Sequence, residues 1–193
     1  EGRPGHGAYA PTSLDVLRGK GYGYWALGHI HKREVVSEEP WVVFPGNLQG
    51  RHVRECGPKG ASLVTYDDVG IQSVEHRDLD SVRWEILSLD ATDCDSGHEL
   101  LDRIGSVLEA ALAEAEPCLL AARIEIRGTC AAHRELSADP DHWISEIRSL
   151  GLQVGPGTLF LERIKLLTKA PLDLEALRER EDPTGCVARR LLQ

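Results

Sequence analysis

Between Trp84 and Lys169 the hydrophobic pattern alternates between the period of a strand and the period of a helix, and each change bounds an element. Trp84 to Leu89 reads as a strand. Asp95-Ser96 then opens a long helix, because Ser96 and Glu99 have the spacing at which a hydroxyl and a carboxylate cap each other's backbone N–H groups. Its apolar stripe runs through Leu100, Ile104, Val107, Leu108, Ala111, Leu112 and Ala115, and Pro117 ends it. Leu119 to Ile126 alternates, with Leu120, Ala122, Ile124 and Ile126 on one face. A second helix is predicted from Asp139 as cap and Pro140 as first residue. Its stripe is Trp143, Ile144, Ile147 and Leu150, and Gly151 closes it. Leu159 to Leu167 is the last strand and Pro171 ends the segment. Each element can bury one face only, so they must pack together as a β-α-β-α-β unit of two layers.

The chain before Trp84 has shorter elements. Residues 1–11 read as a Gly/Pro loop. Thr12 or Ser13 caps a short helix from Leu14 to Lys20, stopped by Gly19 and Gly21. A strand follows over Tyr22 to Leu27, then a charged turn at Lys32-Arg33-Glu34, a strand at Trp41 to Phe44 and a turn at Pro45-Gly46-Asn47. Ala61 to Tyr66 and Ile71 to His76 flank Asp67-Asp68-Val69-Gly70 as a hairpin. Such a succession implies a mostly antiparallel sheet, and the class is α+β. Three regions result: 1–80, 81–170, and a linker or docking tail at 171–193, helical over Leu174 to Arg180 and broken at Asp182-Pro183-Thr184-Gly185.

Composition narrows the function. The net charge is −9, which argues against binding nucleic acid by an overall basic field. Residues 1–80 carry 9 Lys/Arg against 11 Asp/Glu, a net of −2, so −7 lies beyond them, where 13 face 20. Any nucleic-acid contact is therefore expected in the first part. Five cysteines without a regular framework read as reduced thiols, and Cys130-Ala131-Ala132-His133 is at most half of a zinc ligand set. No apolar run reaches the roughly 18 residues of a membrane span, and the first residues lack a signal-peptide core. A cytoplasmic location without membrane partners is the expectation. The chain lacks methionine, an initiator included, and so reads as beginning inside a longer protein or after a cleavage.

The chemistry is concentrated in Tyr24 to Arg51, at Gly28-His29-Ile30-His31. In an extended segment His29 and His31 would point to one side while Ile30 points back. Two imidazoles so placed suit two metal ions about 3.5–4 Å apart, and Gly28 would let the backbone turn out of the preceding strand. An isolated H-x-H is more often a surface or hydrogen-bonded pair. Here an apolar strand runs into the motif, a charged turn follows, and the strand Trp41 to Phe44 leads into Pro45-Gly46-Asn47.

Together, Gly28 to His31, Pro45 to Asn47, the run Asn47-Leu48-Gln49-Gly50-Arg51-His52-Val53-Arg54-Glu55 and Gly57 to Gly60 resemble the last metal-binding motif of calcineurin-like metallophosphoesterases. The narrower resemblance is to the nuclease subunit of SbcD-type DNA double-strand-break repair exonucleases, over about residues 8–90. The resemblance implies that residues 1–80 are the C-terminal part of a metallophosphoesterase β-sandwich and 81–170 a small capping domain. It implies that His29 and His31 each bind one of two divalent ions, with manganese the family's usual metal. Asn47, Gln49, Arg51 and His52 are then candidates for DNA phosphate contacts, with a solvated loop as the bland alternative. DNA, an SMC-like ATPase subunit and a second copy are the implied partners. The family's earlier ligand motifs, D-x-H, G-D-x-x-D and G-N-H-D/E, do not occur, so the chain alone is expected to be inactive. Two other readings stay open: a small-substrate phosphoesterase of the same superfamily, and a non-catalytic module binding DNA or a partner.

Overall fold

The computed structural model describes residues 11–172, 177–179 and 181–191. Residues 1–10 of the loop read over 1–11, and the helix read over Leu174 to Arg180 apart from 177–179, lie outside the described residues. By compactness the chain divides into two units. One holds the residues up to Ile86 with Leu112–Ala122 and Thr158–Phe160; the other holds Leu87–Ala111, Arg123–Gly157 and the residues from Leu161 on.

In the first unit α1 (Leu14–Arg18) begins where Ser13 accepts the N–H of Val16 at 3.4 Å. Three strands follow: β1 (Tyr24–Ala26), β2 (Glu34–Glu38) and β3 (Trp41–Phe44), in the sheet order β1-β3-β2. β3 is central, and its consecutive Val42 and Val43 are both buried because it is covered on two faces. β2 pairs with it antiparallel, but β1 pairs with it in parallel, Tyr24 opposite Trp41 and Ala26 opposite Val43. β2 was not foreseen: Glu34-Val35-Val36-Ser37-Glu38 has only two apolar residues, and as an edge strand it needs no more. β4 (Gly60–Tyr66) and β5 (Ile71–Asp78) form the expected hairpin. Asp67 organises its turn by accepting the N–H groups of Val69 and Gly70, at 2.8 and 3.1 Å.

The strands β6 (Val82–Asp90), β7 (Leu119–Thr129) and β8 (Leu159–Lys169) form a sheet in that order. Its ladder runs Leu119 to Ser81 and Ala91 to Arg127, then Leu120 to Thr158 and Cys130 to Lys169, so all three strands are parallel. An antiparallel arrangement thus holds only for β2–β3 and β4–β5. The crossovers are α2 (Gly97–Ala115) and the pair α3 (His133–Ala138) and α4 (Pro140–Val154). The β-α-β-α-β order is as the periodicity required, with α3 added.

In the second unit Leu100, Ile104, Leu108, Ile124, Ile126, Leu136 and Ile147 are fully buried. α2 meets α4 closely: a Cβ on Gly97 would lie 2.0 Å from the Trp143 ring, and one on Gly105 would touch Leu150. Ser96 and Glu99 cap α2, Glu99 N–H to the hydroxyl at 3.2 Å and Asp95 N–H to the carboxylate at 3.0 Å. Asp139 caps α4 through the N–H of His142 at 3.1 Å. Gly151 does not end α4; it is buried within it, and the stop falls at Gly155 before Pro156 and Gly157. Likewise Asp182-Pro183-Thr184-Gly185 begins a helix, α5 (Pro183–Leu191). Asp182 accepts the N–H of Gly185 at 2.9 Å, and a proline in the first turn gives up no hydrogen bond. No helix among the described residues is long and apolar enough to cross a membrane, and all five cysteines are free thiols.

Candidate functional site

The parallel pairing of β1 with β3 determines where the motif residues go. Parallel strands end on the same side, so the loop after Ala26 and the loop after Phe44 leave the sheet as neighbours. Leu27 N–H still reaches the carbonyl of Val43 at 2.8 Å, and beyond it the two loops are stitched together by Asn47 N–H to the His31 carbonyl at 3.1 Å. Gly46 makes that contact possible. It has φ +81°, and a Cβ there would stand 2.9 Å from both the His31 carbonyl and the Arg33 nitrogen.

The two histidines do not share one side of an extended strand. β1 ends at Ala26, and His29 has φ 78°, in the left-handed region that a residue with a Cβ seldom adopts. Gly28, which the sequence suggested as the flexible point, has open space around it and an ordinary φ; the turn is made at His29. Such strain in a non-glycine residue collects at functional sites.

His31 sits at the centre of a polar cluster. Its Nδ1 is 2.7 Å from Oε1 of Glu55 and 3.1 Å from Nη2 of Arg51. Glu55 also accepts the backbone N–H of Arg51 at 2.9 Å through Oε2, and Arg51 Nη2 stands 3.4 Å from Oε1. His52 Nε2 is 3.9 Å from that same oxygen. The Glu55 side chain is only 9% exposed, whereas that of His31 is 49% exposed. Burial pushes the Glu55 carboxyl up, but the Arg51 N–H, the His31 ring and the Arg51 guanidinium together outweigh it and hold it down to about 2. Glu55 is therefore an anion beneath an exposed imidazole. It lay within the run that carried the resemblance but was not among the candidate residues. The available signal was its place as the carboxylate that directly follows the basic run Arg51 to Arg54.

Of the predicted phosphate-contacting residues, Arg51 and His52 join this cluster and Asn47 is held beside it through its backbone. Gln49 is committed elsewhere. Its Nε2 donates to the carbonyls of Val82 and Gly50 at 2.6 and 2.9 Å, and its Oε1 accepts from Ser81 and Val82 at 3.0 and 3.2 Å. Every polar position of that amide is used, so its place is structural. Lys59 is buried for a similar reason, its ammonium donating to the carbonyls of Cys56, Gly57 and Pro58. His76 lies on β5 with Nε2 3.4 Å from Asp78. Cys130 is buried and the His133 ring bonds Thr168 at 3.0 Å. Among the described residues no group of three or more His, Cys, Asp or Glu side chains is placed to hold an ion.

Residues 84–169 match the family described as Metallophosphoesterase YhaO, middle domain. The chain is also 37% identical over 129 residues to the uncharacterized metallophosphoesterase YhaO of Bacillus subtilis (strain 168). Both matches support the metallophosphoesterase superfamily. The aligned stretch is 66% of this chain and 31% of that relative, so the chain spans less than a third of the protein it resembles. No solved structure matches it. Metallophosphoesterases use divalent metal ions, and the cluster fits one edge of such a centre. A metal-bound imidazole is oriented by a carboxylate on its other nitrogen, and that is the relation of Glu55 to His31.

Proposed function

We propose that this chain is part of a metal-dependent nuclease that hydrolyses phosphodiester bonds in DNA, of the SbcD type, acting in double-strand-break repair in the cytoplasm. The observation that carries the reading is the His31 imidazole, exposed on one edge and held at Nδ1 by the half-buried Glu55 carboxylate. His29 and His31 each contribute a ligand to one of two divalent ions, manganese in this reading. The ions would supply charge stabilisation at the phosphoryl oxygens and an activated water. Residues 1–80 form the C-terminal part of the nuclease β-sandwich, and 171–193 a linker or docking tail. Asn47, Arg51 and His52 meet the DNA phosphates. Segment 81–170, which carries much of the negative excess, selects DNA ends by shape and by local Lys/Arg. DNA, an SMC-like ATPase subunit and a second copy are the partners in this reading.

The test is His31→Ala and His29→Ala in the whole protein, assayed with manganese on duplex DNA and on a small phosphodiester. Loss of both activities with the fold intact is the expected result. Near wild-type turnover by His31→Ala would remove the assignment. Hydrolysis of the small ester without any attack on DNA would favour a small-substrate phosphoesterase.

A further inference from the structure

We propose that Glu55 is a positioning residue that keeps His31 in the Nδ1–H tautomer, so that Nε2 retains the lone pair needed to bind a metal ion. The inference rests on the reading of His31 as a ligand and adds a residue to it.

The argument is one of donors and acceptors. A neutral imidazole carries one proton, and the nitrogen without it is the acceptor. A carboxylate accepts and does not donate, so a nitrogen 2.7 Å from Oε1 of Glu55 is the one that carries hydrogen. Arg51 Nη2 is 3.1 Å from the same Nδ1 but can only donate, and an Nδ1 that gives its hydrogen to Glu55 cannot accept from it. The guanidinium serves Oε1 instead, at 3.4 Å. His52 is the internal contrast. Its Nδ1 accepts the backbone N–H of Arg54 at 3.2 Å, so its proton is on Nε2. Two imidazoles of neighbouring loops are thus held in opposite tautomers by different partners.

The rest of the Glu55 environment makes the dependence specific to its charge. Oε2 is taken by the Arg51 N–H, a group that can only donate. In Glu55→Gln one of the two oxygens becomes an NH2 group. Placing that NH2 against the Arg51 N–H would oppose two donors, and the backbone has no alternative form. His31 does, because it can move its proton. The glutamine oxygen therefore stays on Arg51, the NH2 faces Nδ1, and His31 adopts the Nε2–H form. Its outward nitrogen then has no lone pair.

The experiment is 15N–1H correlation of the histidine rings in the 193-residue chain at about pH 8, above the ordinary imidazole value of about 6.5. In the wild type His31 is expected as Nδ1–H and His52 as Nε2–H. In Glu55→Gln the His31 pattern inverts while His52 and the backbone amide spectrum beyond the loop stay as they were. Mn2+ titration supplies a second readout, paramagnetic broadening of the His31 ring signals. The variant should need about 10- to 100-fold more metal for equal broadening, the usual cost of losing an outer-shell partner. Wild-type His31 found as Nε2–H, or an unchanged tautomer in folded Glu55→Gln, overturns the proposal. Should the variant not fold, the wild-type tautomers alone decide it. If the tautomer inverts but Mn2+ broadens neither His29 nor His31 in the wild type, tautomer control by Glu55 stands and the metal reading falls.

Discussion

Gln49 and Val82 hydrogen-bond each other in both directions: Nε2 of Gln49 donates to the Val82 carbonyl at 2.6 Å, and the Val82 N–H returns to Oε1 at 3.2 Å. The pair anchors the loop that follows Pro45-Gly46-Asn47 to the first residues of β6. Trp84 adds a second tie, its Nε1–H donating to the Gly50 carbonyl at 3.0 Å.

Because the Gln49 amide both gives and accepts there, Gln49→Glu leaves the Val82 carbonyl facing an acceptor. Leaving a half-buried polar group unpaired costs about 1–3 kcal/mol. Urea unfolding should show a loss of that size for Gln49→Glu and a comparable one for Gln49→Ala. An unchanged midpoint for both would mean the loop is held by Trp84 alone.

A methyl group at Gly97 of α2 would fall on the Trp143 ring, which occupies its site. Gly97→Ala should cost about 1–3 kcal/mol through overpacking. The penalty should shrink when Trp143 is also replaced by alanine, because the two residues share that space. A double-mutant cycle by chemical denaturation measures it, and additive losses would contradict the packing.

Glu125 bonds Lys165 at 2.8 Å and Arg127 at 2.8 Å, and these two cations hold its carboxyl down to about 2 from the ordinary 4.5. With the folded value below the unfolded one, the stabilisation is complete above pH 4.5 and disappears as pH falls through about 2. A carboxyl 13C titration should place the Glu125 midpoint near the lower value, and Lys165→Met should move it upward. A wild-type midpoint at 4.5 would mean that the pairs with Lys165 and Arg127 do not form in solution.

The chain by itself should hold divalent metal weakly. His29 and His31 leave most coordination positions to water, and a metal site draws its affinity from a complete, oriented ligand set. Calorimetry with manganese checks this. Two tight sites would point to further ligands, first among His52 and His76, and His6, which lies outside the described residues.

The β-α-β-α-β order from Val82 to Lys169, the caps at Ser96 and Asp139, and the Asp67 turn of the hairpin were legible in the sequence because each depends on residues within a few positions of one another. The Gly28 to His31 motif pointed to the superfamily in the same way. Where a local signal had two meanings, local reasoning misplaced it. Gly151, a stop by residue type, is buried inside α4, and Asp182-Pro183, a helix breaker by composition, starts α5.

The site itself was decided by pairings between distant residues. Only the parallel alignment of β1 with β3 brings the His31 loop beside the Glu55 loop, and nothing in Tyr24-Trp25-Ala26 specifies the direction of its partner. The left-handed turn falls on His29 rather than on Gly28, two residues before the loops are tied at His31 and Asn47. Sequence pattern determined which residue types were at hand; the fold decided which nitrogen of His31 faces a carboxylate, since hydrogen-bond geometry exists only once the chain has closed on itself.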